Sequence, residues 1–194
     1  MTKNDTSEGH VILGIDPGTN IMGYGVICRR DARHVDMLAL GVLDLHRLSD
    51  HYDKLKMIFD RTVSLIEQYH PTELAIEAPF YGKNIQSMLK LGRAQGTAIA
   101  AALSRSLDIY EYAPRKIKMA ITGQGNASKE QVALLLQRMF NIREMPQNLD
   151  ATDGLAAAVC HFFQQKPQAT VVSGAAPAKS WKEFMAQHPK RVKC

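Results

Sequence analysis

The amino-acid sequence predicts one α/β domain, opened by a three-stranded antiparallel meander and continued by helices alternating with strands. Three observations carry this expectation. The N-terminal quarter holds three β-rich runs separated only by short polar turns, chemistry that suits hairpins and not crossovers. Beyond them, long stretches with apolar residues at helical spacing alternate with short apolar runs. Finally, 194 residues at 45% hydrophobic content suffice for one well-buried core and are short for two.

Taken in order, HVILGID (10–16) reads as a buried strand, followed by a Pro17-Gly18-Thr19-Asn20 turn whose glycine permits positive φ. Gly23 to Arg30 and Val35 to Leu45 supply the next two strands around the polar segment 31–34. From Tyr52 to Tyr69, Leu55, Ile58, Phe59, Ile66 and Tyr69 mark an amphipathic helix, which Pro71 ends. Glu73 to Ala78 is a short strand with Glu77 near its C-terminal end. A second long helix is expected over 84–105, then a strand at Leu107 to Tyr112 and a helix opened by Pro114. Ser128 and Gln131 fit a capping box for a helix from Lys129 to Phe140, and 148–165 reads as the last helix.

Residues 1–10 form a polar extension, 11–166 the domain, and 167–194 a basic tail of Pro, Ala, Ser, Gln and Lys expected to be largely disordered. Within that tail, Trp181, Phe184 and Met185 have the spacing of one short docking helix. Cys28, Cys160 and Cys194 are odd in number, far apart and without a C-x-x-C pair, which argues against a disulfide framework or a zinc knuckle. The N-terminus lacks the apolar stretch of a signal peptide and no run reaches the roughly 18 apolar residues of a membrane span, so a cytoplasmic protein is expected.

The net charge of +5 lies in the tail, where six basic residues from Lys166 onward face only Glu183. The rest balances at 18 against 18, but unevenly. Residues 31–77 hold nine acidic and five basic residues, whereas 83–138 hold nine basic and three acidic. Such segregation can give a basic face suited to a polyanion; a solvated, charge-mixed surface is the competing account.

Four carboxylates stand out. Asp16 ends an apolar strand, where an unpartnered charge costs several kcal/mol if buried, although Asp before Pro-Gly can also cap a turn. Glu77 repeats the oddity inside LAIEAPF. Asp150 and Asp153 share a helix face three residues apart. Capping and macrodipole stabilisation, worth about 0.3 to 1 kcal/mol each, would account for either alone. The apolar turn that follows, Leu155 to Val159, nevertheless buries this helix and points both aspartates inward. Four acidic groups packed together repel unless a metal neutralises them, and hard oxygen ligands select Mg²⁺ or Mn²⁺ over Zn²⁺.

The segments GIDPGTNIMGYGVI, LAIEAPFYGKNIQSMLKLGRAQG, YAPRKIKMAITGQGNASKEQV and DATDGLAAAVCH, in this order and spacing, resemble the RuvC family of bacterial Holliday junction resolvases over about residues 11–165. The resemblance implies a ribonuclease-H-like fold, a mixed five-stranded sheet flanked by helices, in agreement with the βββαβαβα order read above. By position, Asp16, Glu77, Asp150 and Asp153 fall on the family's catalytic acidic tetrad. A structure-selective DNA endonuclease of recombination and repair follows, with two Mg²⁺ per subunit, Mn²⁺ able to substitute, in a homodimer that nicks four-way junction DNA symmetrically beside the RuvA and RuvB branch-migration proteins. Two metals about 3.5 to 4 Å apart would serve an in-line displacement, with Asp16 bridging them.

Further roles also come from the resemblance. Lys118 and Lys129 match basic positions near the scissile phosphate, Lys118 being the stronger candidate because Lys129 is the first residue after an N-cap. Phe80 matches a base-stacking aromatic, with Tyr81 beside it, and stacking on an unpaired base is worth about 1 to 3 kcal/mol. Lys83, Asn84, Lys90 and Arg93 would contact phosphates. The second long helix, with Met88, Leu89 and Leu91, would lie at the dimer interface; from the residues alone these could equally serve the monomer core. His161, on the apolar helix after Asp153, is expected in the core or at its rim. Three rivals stand beside this reading: an actin-like ATPase or sugar kinase, whose phosphate loop also carries Asp-x-Gly-Thr but which needs a second lobe; a non-catalytic junction-binding module; and an RNA-directed nuclease of the same fold.

Overall fold

The structure is a computed structural model that describes residues 10–79, 84–146 and 148–165. Its order is β1 (His10–Asp16), β2 (Ile21–Arg29), β3 (Val35–Asp44), α1 (His51–Tyr69), β4 (Glu73–Glu77), α2 (Ile85–Leu103), β5 (Asp108–Tyr112), α3 (Pro114–Thr122), α4 (Lys129–Phe140) and α5 (Asp150–Gln164). The strands form one sheet in the order β3-β2-β1-β4-β5. β1, β2 and β3 are antiparallel neighbours, and β1–β4 and β4–β5 pair in parallel, so the expected meander and mixed sheet are both present.

Strand periodicity divides the core into two layers. Leu13 and Ile15 of β1, Met22, Tyr24 and Val26 of β2, and Leu74 and Ile76 of β4 face α1 and α2, packing with Ile58, Leu65, Ala94 and Ala98. Ile12, Ile27 and Ala75 face the other way, into a cluster with Ile117, Val132, Leu136 and the apolar run Leu155 to Cys160. α5 crosses this second face against β1 and β2. Each fully buried aliphatic side chain contributes about 1.5 to 3 kcal/mol of transfer free energy, so the sheet is held from both sides.

The helix ends follow the sequence. Asp50 caps α1 by accepting from the Tyr52 and Asp53 N–H groups at 2.7 and 3.1 Å, and His70 stops it in the left-handed conformation, just before Pro71. The Ser128–Gln131 capping box is complete. Boundaries shift where pairing or capping decides. β2 begins at Ile21, two residues before the expected Gly23, because the hairpin ladder continues to the pair Ile21–Asp44. Asn84 lies outside the helix as the N-cap of α2, its side chain accepting from Ser87 N–H at 3.1 Å. Asn148 likewise precedes α5, its Oδ1 accepting from Asp150 N–H at 2.9 Å. Leu107 falls outside β5, since its N–H bonds to the Ala102 carbonyl of the preceding turn.

Cys28 and Cys160 are buried free thiols, and Cys194 lies outside the described residues. Among the described residues, no helix is long and apolar enough to cross a membrane. The N-terminal extension up to residue 9 and the basic tail, with Trp181, Phe184 and Met185, lie outside the described residues.

Candidate active site

Period-two alternation places the first two carboxylates. In β1, Ile12 and Gly14 face α5, so Asp16 at the strand's end does too. In β4, Glu73 and Ala75 face α5, so Glu77 follows. β1 and β4 run parallel with Ile15 opposite Ile76, which puts Asp16 and Glu77 on one face at the C-terminal ends of adjacent strands.

α5 delivers the other two, and glycines let it come close enough. A Cβ on Gly23 would lie 1.8 Å from the Asp150 carbonyl oxygen, and one on Gly154 would lie 2.5 Å from Tyr24 Cα. Backbone meets backbone here, so the first turn of α5 sits directly on the strand ends. Leu149, at the N-cap, offers that turn no side-chain hydrogen bond, and Asn148 Oδ1 accepts the Asp150 N–H instead. The Asp150 and Asp153 carboxylates are directed into the site, and one oxygen from each of Asp16, Asp150 and Asp153 lies within 4.8 Å of the others. Glu77 stands outside this trio but lines the same cleft of about 260 Å³, with Asp16, Asp153, Lys118 and Lys129.

Electrostatics show that these acids are unpaid for by ordinary solvation. Burial raises the Asp16 carboxyl well above its usual range, reinforced by the charges of Glu77 and Asp153. Burial, then Asp153, pushes Glu77 up to about 7, and burial also raises Asp153. Among the described residues, Lys129 is the one cation in contact: its Nζ lies 2.7 Å from Asp150 Oδ1 and 2.6 Å from Asp153 Oδ2. Burial opposes its charge, yet the hydrogen bonds it donates to Asp150 and Asp153 carry its pKa above the ordinary lysine value.

Half-buried hard oxygens, mutually repelling and fewer in compensating cations than in charges, are a donor set fitted to a divalent metal. Asp16, Asp150 and Asp153 would hold it, with Glu77 at the cleft wall.

The remaining expected residues distribute as follows. Lys118, on α3, lines the cleft, but its ammonium makes no ion pair among the described residues; Lys129, ranked second from the sequence, is the one that touches the acids. Lys90 and Arg93 are exposed on α2. Leu89 is exposed, whereas Met88 and Leu91 are half-buried. Phe80, Tyr81 and Lys83 lie outside the described residues. His161 is buried at the far end of α5, with Nδ1 2.6 Å from Tyr112 OH and Nε2 2.8 Å from Glu73 Oε2. Gln95 escaped notice in the sequence. This buried α2 amide donates to Glu111 Oε2 at 2.7 Å and to the Glu77 carbonyl at 3.4 Å, tying down the end of β4. A polar residue on the inward, alanine-lined face of α2 was the available signal.

Comparison with known proteins agrees with this geometry. The family model described as crossover junction endodeoxyribonuclease RuvC matches residues 12–161. A protein of that name from Christiangramia forsetii is 57% identical over 191 residues, covering 98% of this chain and 97% of its own. Another, from Bacteroides fragilis, is 59% identical over 185 residues, covering 94% and 96%. Among solved structures, T. thermophilus RuvC in complex with a Holliday junction substrate superposes with a TM-score of 0.73 at 29% identity, over 79% of this chain and 93% of that one. The yeast mitochondrial Holliday junction resolvase Ydc2 shares the fold, with a TM-score of 0.56 at 15% identity over 78% of each chain. Sheet order, acidic cluster and near full-length identity lead to one conclusion: the chain belongs to the RuvC family of crossover junction endodeoxyribonucleases.

Proposed function

We propose that this protein resolves Holliday junctions, hydrolysing phosphodiester bonds of four-way junction DNA by paired symmetric nicks in recombination and repair. The observation that carries the reading is the convergence of Asp16, Asp150 and Asp153 within 4.8 Å, beside Glu77, in a chain of this family. Its substrate sets its place of work in the cytoplasm, with the chromosome.

The chemistry uses divalent cations, for which two Mg²⁺ per subunit, or Mn²⁺ in their place, are the proposed occupants. When bound, such ions activate a water for attack on phosphorus and stabilise the leaving 3′ oxygen. The chain's own residues do the rest. Asp16, at the end of β1 beside the α5 aspartates and Glu77, would be the central carboxylate holding the metal. Lys118 projects from α3 into the cleft, where its ammonium offsets charge developing on the non-bridging oxygens.

DNA is held around this centre. Phe80, with Tyr81, follows Glu77 closely enough in the chain to stack on a base unpaired at the crossover. Lys83, Lys90 and Arg93 position the backbone through phosphate contacts, and Asn84 contributes only its amide N–H groups because its oxygen caps α2. The exposed start of α2, with Ile85 72% and Leu89 53% accessible, suits a homodimer seam, and two copies explain two nicks. RuvA and RuvB are the proposed partners that move the junction.

Incubation with Mg²⁺, a synthetic four-way junction and an RNA–DNA hybrid tests the assignment. Symmetric nicks in the junction are expected; cutting confined to the RNA strand of the hybrid would overturn it.

A further inference from the structure

Lys129 occupies a position that helix stability does not explain. It is the first residue of α4, where the positive end of the helix macrodipole disfavours a cation. Its backbone is fixed by the Ser128–Gln131 capping box, whose two hydrogen bonds measure 2.9 and 3.3 Å. Its side chain is half exposed and reaches across to α5, where the ammonium sits between Asp150 and Asp153. Those two carboxylates, with Asp16, are the trio whose oxygens converge within 4.8 Å. One ammonium therefore stands on two of the three carboxylates a divalent cation would use, and two cations on one pair of carboxylates repel. Lys118 lines the same cleft with the same charge yet makes no ion pair there among the described residues.

We propose that the Lys129 ammonium is the resident counter-ion of the metal-free site, displaced by the incoming divalent cation and thereby freed into the cleft for a DNA phosphate. The inference rests on the metal-dependent nuclease reading above and adds an order to it. Before metal binds, the ammonium offsets part of the charge of Asp150 and Asp153 and holds the first turn of α5 to α4. Once metal binds, the carboxylates are satisfied and the α4 macrodipole favours withdrawal of the ammonium from its helix end. Its flexible stem, on a fixed helix start, lets it move without any rearrangement of the backbone. Metal loading and exposure of a phosphate-binding cation are then one event.

Two measurements on the full chain test this, neither of which reads cleavage. Mg²⁺ affinity is measured by calorimetry for the wild type, Lys129→Met, Lys129→Arg and Lys118→Met. Removing the competitor should tighten Mg²⁺ binding of Lys129→Met by about tenfold or more, while Lys118→Met, which loses the same charge from the same cleft, changes less than about threefold. Lys129→Arg, which keeps a competing cation, should stay within about threefold of the wild type. Equal tightening in the two methionine variants, or none in Lys129→Met, would overturn the proposal.

The second measurement needs no variant. Acetylation of wild-type lysines by acetic anhydride, followed by mass spectrometry, should find Lys129 protected in EDTA and several-fold more reactive in Mg²⁺, with Lys118 little changed. Lys129 reactivity indifferent to Mg²⁺ would overturn the proposal even if Lys129→Met failed to fold. Junction cleavage is assayed in parallel on the wild type. Metal-dependent unmasking without cleavage would contradict the nuclease reading while leaving the competition itself established.

Discussion

At the scale of residues, the site is a concentration of negative charge that the fold itself does not neutralise. Asp16 is the most deeply committed of the four acids, and Asp150 the most exposed of the α5 pair, its side chain 30% accessible against 15% for Asp153. Asp16→Asn should lower junction cleavage by about 10³-fold or more, whereas Asp150→Asn should cost roughly 10- to 100-fold, as measured by single-turnover nicking. Equal losses would contradict the ranking. The same acids give stability a pH dependence. Glu77 titrates near 7 in the folded chain against 4.5 when unfolded, and Asp16 is raised as well, so the folded state holds these protons more tightly. The Glu77 contribution is therefore complete below about pH 4.5 and is lost as pH rises through about 7, and that of Asp16 falls with rising pH in the same sense. In EDTA the melting temperature should fall between pH 5 and 8, with a shallower fall in Glu77→Gln and in saturating Mg²⁺; identical slopes in all three would contradict the assignment.

At the scale of elements, the site depends on how closely α5 lies on the sheet. Gly23 and Gly154 allow backbone to touch backbone where a Cβ would meet main-chain atoms at 1.8 and 2.5 Å. Gly23→Ala or Gly154→Ala should push the start of α5 outward, costing about 1 to 3 kcal/mol of stability by denaturant unfolding and about 10²-fold in cleavage. Most elements were legible from sequence because their signals are local: the Ser128 capping box, Pro114 at a helix start, and alternation in β1 are each written within a few residues. Asp16 and Glu77 could be placed at strand ends for the same reason. The contact that joins them to Asp150 could not, since the glycines responsible are 131 positions apart in the chain. Lys129 misled for a related reason: its position after an N-cap is a local fact, while its ion pairs to α5 are tertiary. Asn84 shows the reverse, a polar residue assigned to a ligand whose oxygen is engaged in capping its own helix.

At the scale of the whole molecule, one face of the sheet carries the acidic cluster and the start of α2 exposes apolar side chains. The layer under α1 and α2 is apolar apart from buried Thr62 and Gln95, whereas the α5 face carries Glu73 and His161 at one end and the acidic cluster at the other. Ile85 and Leu89 are exposed at the start of α2, the proposed dimer seam. Leu89→Glu should convert a dimer to monomers in sedimentation velocity while the metal-free melting temperature of the monomer stays within a few degrees. Paired nicking should fail with it. The most direct test of the central claim, that these carboxylates form a metal-dependent junction-cleaving site, is an Mg²⁺ back-titration after EDTA. Wild type and Asp16→Asn are compared on an end-labelled four-way junction. The account predicts symmetric nicks in the wild type that appear only as Mg²⁺ is restored, and none in Asp16→Asn at any Mg²⁺ concentration. Cleavage in EDTA, or equal cleavage by the variant, would contradict it.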